Sequence, residues 1–260
     1  MRTVSIASHA LAASLGVLLV LGPAGGAVRS DQKAPDPLVA RFLDRQSSQL
    51  TEYRAQRRLE AHNLRFNKTG WLEATTWLDP ARGFGFSVTG EGGSGLIRDK
   101  VLRPALEAEA RALRTGEAAQ SVLTTDNYTF TPEGLGPDGL EVVRLTARRN
   151  EKFLVNGRLM LRPPDLDLVQ MDGRPAKSPS FWTTSVEIVR RYERMNGVRV
   201  PVRFDSTASV RFVGRSTFSI TYVYSSVNGA PVPAGAVFRR SPGDEASPVA
   251  RPQQRQVLTR

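Results

Sequence analysis

Cysteine is missing from the 260-residue chain. That absence removes a disulfide scaffold, a thiolate metal site, a cysteine nucleophile and a lipid-modified N-terminal cysteine. Histidine is nearly missing too: of the two present, His9 lies in the apolar N-terminal stretch and only His62 is outside it. One histidine cannot make a histidine-cluster metal site. A serine–histidine–aspartate arrangement would have to use His62, and no G-x-S-x-G elbow is present to carry the serine. His62 therefore reads as a polar residue at a strand end, and neither a metal nor a cofactor is expected. Carboxylates are in deficit, 25 against 36 lysines and arginines, for a formal charge of +11. The arginines come as doublets, such as Arg57–Arg58 and Arg190–Arg191, and never as a long block. No recognition-helix or stacked-aromatic motif accompanies them, so the excess reads as solvated surface charge and nucleic acid is not an expected partner.

What is present first is an export signal. Arg2 precedes an apolar stretch from Ile6 to Leu21, and small residues stand at Gly25 and Ala27, where a signal peptidase can cut. Its densest run, Leu15 to Leu21, is short beside the ~20 residues of a membrane span. Residues 1–27 are expected to be a cleaved signal peptide, placing the mature chain in the periplasm with no transmembrane segment. From Gly229 the composition changes again. Pro231, Pro233, Pro242, Pro248 and Pro252 among arginine, serine and glutamine leave little apolar surface, and residues 229–260 read as a disordered tail.

Between these ends the hydrophobic period locates the elements. Asp36 to Ser48 reads as a helix with Asp36 as N-cap, Pro37 in its first turn, and Leu38, Phe42 and Leu43 on one face. From Leu50 the period becomes two. Tyr53, Ala55, Arg57, Leu59 and Ala61 share a face, and a second run from Gly70 to Leu78 carries Trp71 and Trp77 on one parity with Leu72, Ala74 and Leu78 on the other. A third run covers Phe84 to Val88. Ser94 then opens an amphipathic helix bearing Ile97, Val101, Leu102, Ala105, Leu106, Ala108 and Ala112. Pro104 predicts a kink or a division into two helices, and Gly116 a stop. Strand signals resume at 128–131, 140–148, 153–162, 166–171, 186–194, 203–213 and 216–225. Asn156–Gly157, Asp172–Gly173, Asn196–Gly197 and Val213–Gly214–Arg215 read as tight turns, which leaves 153–162 open to being either a strand or a hairpin. The expected fold is α+β: a single large curved antiparallel sheet, an unclosed β-barrel of about ten strands. An N-terminal helix precedes it and a helical lid is inserted after the third strand, all within residues 36–228.

Motifs with chemical potential are few. Gly90–Glu91–Gly92–Gly93–Ser94–Gly95 fits G-x-G-x-x-G between a strand and a helix. No parallel strand ending in an acidic residue follows, so Gly90, Gly92 and Gly93 read as the lid hinge. Asp165, Asp167 and Asp172 cluster beside Pro163–Pro164 and Gly173, where turn aspartates make local hydrogen bonds. Asn67–Lys68–Thr69 and Asn127–Tyr128–Thr129 are sequons of use only on a eukaryotic secretory route. Apolar side chains remain as the candidate site, because a bent sheet of about ten strands outgrows its own side chains. Trp71, Trp77, Phe84 and Phe86 in the early strands, Ile97, Val101, Leu102 and Leu106 on the lid, and Trp182, Ile188, Tyr192, Phe212, Phe218, Ile220 and Tyr222 later on are the expected lining.

This order of elements resembles the LolA/LolB-like periplasmic lipoprotein carriers and the related RseB-like sensor domains. The stretch from Val169 to Trp182, with Tyr192, Gly197 and Pro201 beyond it, is similar to outer-membrane lipoprotein-sorting-like proteins. The resemblance implies a half-barrel that binds acyl chains on its concave face. The expected function is a non-enzymatic carrier of acyl chains of lipoproteins or other lipid-like ligands, with lipid or acylated protein as partner. The alternative is a non-catalytic envelope interaction or sensor domain that docks a protein and has no small ligand.

Overall fold

The computed structural model describes residues 36–44 and 48–233; the signal-peptide reading and the tail beyond Pro233 fall outside the described residues. Helix α1 (Pro37–Asp44) starts where Asp36 accepts a hydrogen bond from the Leu38 amide at 2.9 Å, and it buries Val39 and Phe42. Three strands follow: β1 (Tyr53–Asn63), β2 (Lys68–Asp79) and β3 (Gly83–Gly93). The helical insertion comes next, as α2 (Gly95–Ile97), a π turn (Arg98–Leu102) and α3 (Arg103–Arg114). Then come β4 (Tyr128–Leu135), β5 (Glu141–Ala147), β6 (Val155–Arg162), β7 (Asp167–Pro175), β8 (Thr183–Met195), β9 (Val198–Val210) and β10 (Gly214–Val227), and a two-residue bridge, β11 (Ala230–Pro231).

One antiparallel sheet runs β3-β2-β1-β10-β9-β8-β7-β6-β5-β4, with β11 on β10. β3 and β4 are its two edges, so the sheet stays unclosed, and the chain between those edges is the helical insertion itself. This is the architecture expected from the sequence: an unclosed antiparallel sheet with a helix before it and a helical insertion after the third strand. The period of two places Ala55, Leu59, Leu72, Ala74, Val143, Leu145, Phe218 and Ile220 on the concave face, all buried. Leu102, Ala105 and Leu106 of the insertion complete the same core.

The insertion handles its proline without a break. In the π turn the Arg103 amide bonds back five residues to the Arg98 carbonyl, and Pro104, which has no N–H to give, follows directly as the helix continues into α3. Ser94 stands at the N-cap position but makes no side-chain capping bond. Gly116, at φ +75°, ends the helix as expected.

Several expectations are corrected. Asn156–Gly157 and Asp172–Gly173 are not turns. They face each other inside the β6–β7 ladder, with Gly157 opposite Gly173 and Asn156 opposite Arg174, so 153–162 holds a strand and not a hairpin. Two glycines opposite each other let the backbones close in: a Cβ on Gly157 would lie 1.9 Å from the Asp172 carbonyl oxygen. Asn196–Gly197 does form the β8–β9 turn, with both residues at positive φ. Gly90, Gly92 and Gly93, expected as the lid hinge, are among the last residues of β3, directly before the insertion. Trp71 and Trp77 lie on the convex face, because Gly70, Leu72, Ala74 and Thr76 take the concave parity of β2. Each indole covers a glycine of the edge strand. A Cβ on Gly85 would meet Trp77 at 2.5 Å, and one on Gly92 would meet Trp71 at 2.7 Å. Arg58 stacks over Trp71 at 4.6 Å and pairs with Glu60 and Glu73. Ala230 and Pro231, which the sequence placed in the disordered tail, pair with β10.

The glycine pair is testable. Gly157→Ala should lower stability by about 2–3 kcal/mol in urea unfolding, since the strands must separate to admit the methyl group. Gly95→Ala, whose Cβ would meet only Arg98 Nη2 at 3.5 Å, should stay within about 0.5 kcal/mol of the parent.

Candidate functional site

The insertion is fastened to the concave face by a buried ion pair. Arg57, inward on β1, donates from Nη1 to Glu109 Oε2 at 2.6 Å and from Nη2 to Glu109 Oε1 at 3.2 Å, with Glu109 on α3. Both residues are fully buried. Nη2 also donates to the Tyr53 hydroxyl, and the guanidinium lies over the rings of Tyr222 (4.6 Å), Phe84 (5.4 Å) and Tyr53 (5.7 Å). Burial works against the Arg57 charge, and the Glu109 carboxylate outweighs it, holding Arg57 well above its ordinary value. Burial raises Tyr53, Tyr222 and Tyr224, so all three stay protonated at neutral pH.

Beside this pair opens a partly open cavity of about 500 Å3. Its walls come from four places: the segment before β1, with Tyr53; the β2–β3 hairpin, with Leu78, Arg82 and Phe84; the end of α3, with Ala110, Leu113 and Arg114; and the β8–β9 pair, with Tyr192, Arg199 and Pro201. Apolar and aromatic groups make most of the wall and three arginines its charge. β1 and β9 begin at this end of the sheet, and β2 and β8 finish there. Burial lowers Arg199 to about 10 and raises Tyr192, which leaves a cation and a neutral phenol at neutral pH.

Of the lining expected from sequence, Phe84 and Tyr192 reach this cavity. Ile97, Leu102, Leu106, Ile188, Phe218, Ile220 and Tyr222 are buried where the insertion packs on the sheet, and Phe86 and Val101 border that core half-buried. Trp71 and Trp77 are excluded by their convex parity. Trp182 and Phe212 lie at the other end of the sheet, on the β7–β8 and β9–β10 connections. With Phe181 they form an outward cluster: Phe181 is 79% exposed, Phe212 77% and Trp182 39%, with centroids 5.5 and 5.9 Å apart. Phe212 holds φ +67°, rare for an aromatic residue. Arg211 lies over Phe181, and Arg65 bonds the Phe212 carbonyl at 2.9 Å.

Sequence reasoning missed Tyr53, Leu78, Leu113 and Arg199 as lining. Tyr53 carried a usable signal, since it shares the inward parity of Arg57 on β1; Arg199 carried none. His62 lies at the far end of β1 with Asn67 Oδ1 at 3.4 Å, away from the cavity. Asp167 receives the Arg194 guanidinium, Asp165 lies in the β6–β7 turn, and burial raises the half-buried Asp172. Among the described residues no His/Asp/Glu group is arranged to hold a metal ion, and no helix is long and apolar enough to cross a membrane.

No protein-family model matches the chain, and no curated protein does. Among solved structures it is similar to a LolA superfamily protein from Nitrosomonas europaea, at 12% identity over 78% of this chain and 96% of that one, with a TM-score of 0.37. It is similar also to a putative outer membrane lipoprotein-sorting protein domain from Vibrio parahaemolyticus, at 9% identity over 73% and 91%, TM-score 0.36. A DUF1329 family protein from Desulfovibrio piger is a third, at 10% over 72% and 88%, TM-score 0.34.

The buried pair generates a prediction. Glu109→Ala leaves the Arg57 cation enclosed without its carboxylate and should cost about 3–5 kcal/mol. The double variant Arg57→Met/Glu109→Leu should recover most of that loss in urea or thermal unfolding.

Proposed function

We propose that this chain is a non-catalytic binding protein of the cell envelope that holds one acyl chain or a similarly slender apolar group, with the helical insertion as its cover. The observation that carries this reading is the cavity. Its volume of about 500 Å3 falls within the roughly 300–1,000 Å3 typical of small-molecule sites, and its apolar wall suits a hydrocarbon chain worth about 0.8 kcal/mol per buried methylene. Burial of Leu102, Ala105 and Leu106 in the core beneath the insertion favours a single chain over a bundle of several. Residues 1–27, which read as an export signal in the sequence, support an exported, periplasmic site of action.

Delipidated protein should gain stability with 1-dodecanol, by about 2.7 kcal/mol when the ligand is at a hundred times its dissociation constant, and native mass spectrometry should show one bound molecule. Ala110→Trp, which fills the cavity from the lid side, should abolish both signals. A parent protein with no thermal shift and no added mass would sink the reading.

The Phe181–Trp182–Phe212 cluster favours a second reading for the opposite end: contact with an anionic lipid surface. Trp and Phe rings suit the membrane interface. The connections at this end, residues 63–68, 176–182 and 211–215, hold Arg65, Lys68, Lys177, Arg211 and Arg215 and no carboxylate, so the charge of this end complements an anionic bilayer. The chain should sediment with vesicles containing phosphatidylglycerol far more than with pure phosphatidylcholine, and Trp182→Ser/Phe212→Ser should lose that binding. Equal sedimentation with both vesicles, or with neither, would refute it.

A further inference from the structure

The charged side chains of the cavity are all of one sign. Arg82, Arg114 and Arg199 line it, and no aspartate or glutamate does. Arg82 and Arg114 are exposed, but Arg199 is only 3% exposed. Its Nε and Nη1 are enclosed, and neither has a hydrogen-bond partner among the described residues. The guanidinium rests over the ring of Phe42 at 5.5 Å, which satisfies none of its N–H groups. Beside it the enclosed Tyr192 hydroxyl has the buried Arg190 guanidinium as neighbour, a donor that leaves the hydroxyl proton free to be given elsewhere. Asp167, whose charge reaches Arg199, is engaged by Arg194 at 3.0 Å. A β-bulge between Arg191 and Tyr192 leaves Val202 without a partner opposite; bulges recur beside binding sites, where they re-aim side chains.

Two enclosed guanidinium N–H groups are costly when unpaired. Arg57 shows how this fold resolves the same problem elsewhere, with a carboxylate from its own chain. For Arg199 the described residues supply no such group, and the space it borders is a cavity. We infer that the cavity takes an amphiphile with an anionic head, a carboxylate or a phosphate. Arg199 and the Tyr192 hydroxyl donate to that head, while the chain lies against Tyr53, Leu78, Phe84 and Leu113. This rests on the reading of the cavity as an apolar-chain site and adds the chemistry of the head.

The test compares probes of one chain length on the delipidated full chain by calorimetry and thermal shift: laurate, dodecyl phosphate and uncharged 1-dodecanol. Laurate or dodecyl phosphate should bind about ten- to a hundredfold tighter than dodecanol, the range expected for hydrogen bonds to a charged group. Whichever anion is preferred identifies the head. Arg199→Met, similar in length and apolar, should bring the anions down to the level of dodecanol measured on the same variant. Arg199→Lys, should the methionine variant fail to fold, should keep a preference for the anion, and Tyr192→Phe should weaken it. Parent protein that binds all three alike overturns the inference and leaves the apolar-chain reading standing. An anion preference that survives Arg199→Met overturns it as well. Binding of none of the three removes both.

Discussion

The pairing of Arg57 with Glu109 is the constraint on which the rest of this molecule turns. A sheet with two free edges and a helical insertion strung between them could leave that insertion in many places. One inward arginine on β1 and one glutamate on α3, joined by two hydrogen bonds and both fully buried, select a single placement. Because a lone buried charge is so unfavourable, the register of α3 against β1 is fixed more sharply than apolar packing alone would fix it. The cavity inherits its shape from that choice. Tyr53 and Phe84 touch the Arg57 guanidinium on one side and line the cavity on the other, and Ala110 and Leu113 follow Glu109 along the helix.

Most strands and their inward faces were legible from alternation alone. β1, β5 and β10 bury the residues that their period of two selects, and the N-cap at Asp36 and the stop at Gly116 stand where local chemistry puts them. What misled was chemistry that means different things in different surroundings. Asn156–Gly157 and Asn196–Gly197 are the same dipeptide. One is a turn because nothing lies across from it, and the other is a ladder step because Gly173 does. The tryptophans of β2 misled by size. Parity alone assigns them to the convex face, and their large apolar area finds its use over the bare glycines of an edge strand rather than in the core.

The two buried arginines explain why the candidate site was only partly visible. Arg57 shared the inward parity of Leu59 and so carried a signal, but its partner lies 52 residues away on another element, and no local pattern links them. Arg199 sits in a run buried at every position from Val198 to Val202, where alternation says nothing about direction. Its environment arises from a bulge on β9 and the ring of Phe42 on α1, both products of the tertiary fold. The core was therefore readable and the cavity was not, since the cavity is what remains after distant elements have met.

The ends of the sheet have a geometric consequence. The cavity opens where β1 begins, and the aromatic cluster projects near where β1 stops. The eleven residues of that strand span about 35 Å at roughly 3.3 Å per residue. A molecule resting on its rings would therefore hold its opening aloft, facing the aqueous compartment. Exchange of contents in that posture would take place with something dissolved or reaching in from across the gap, not with the layer underneath.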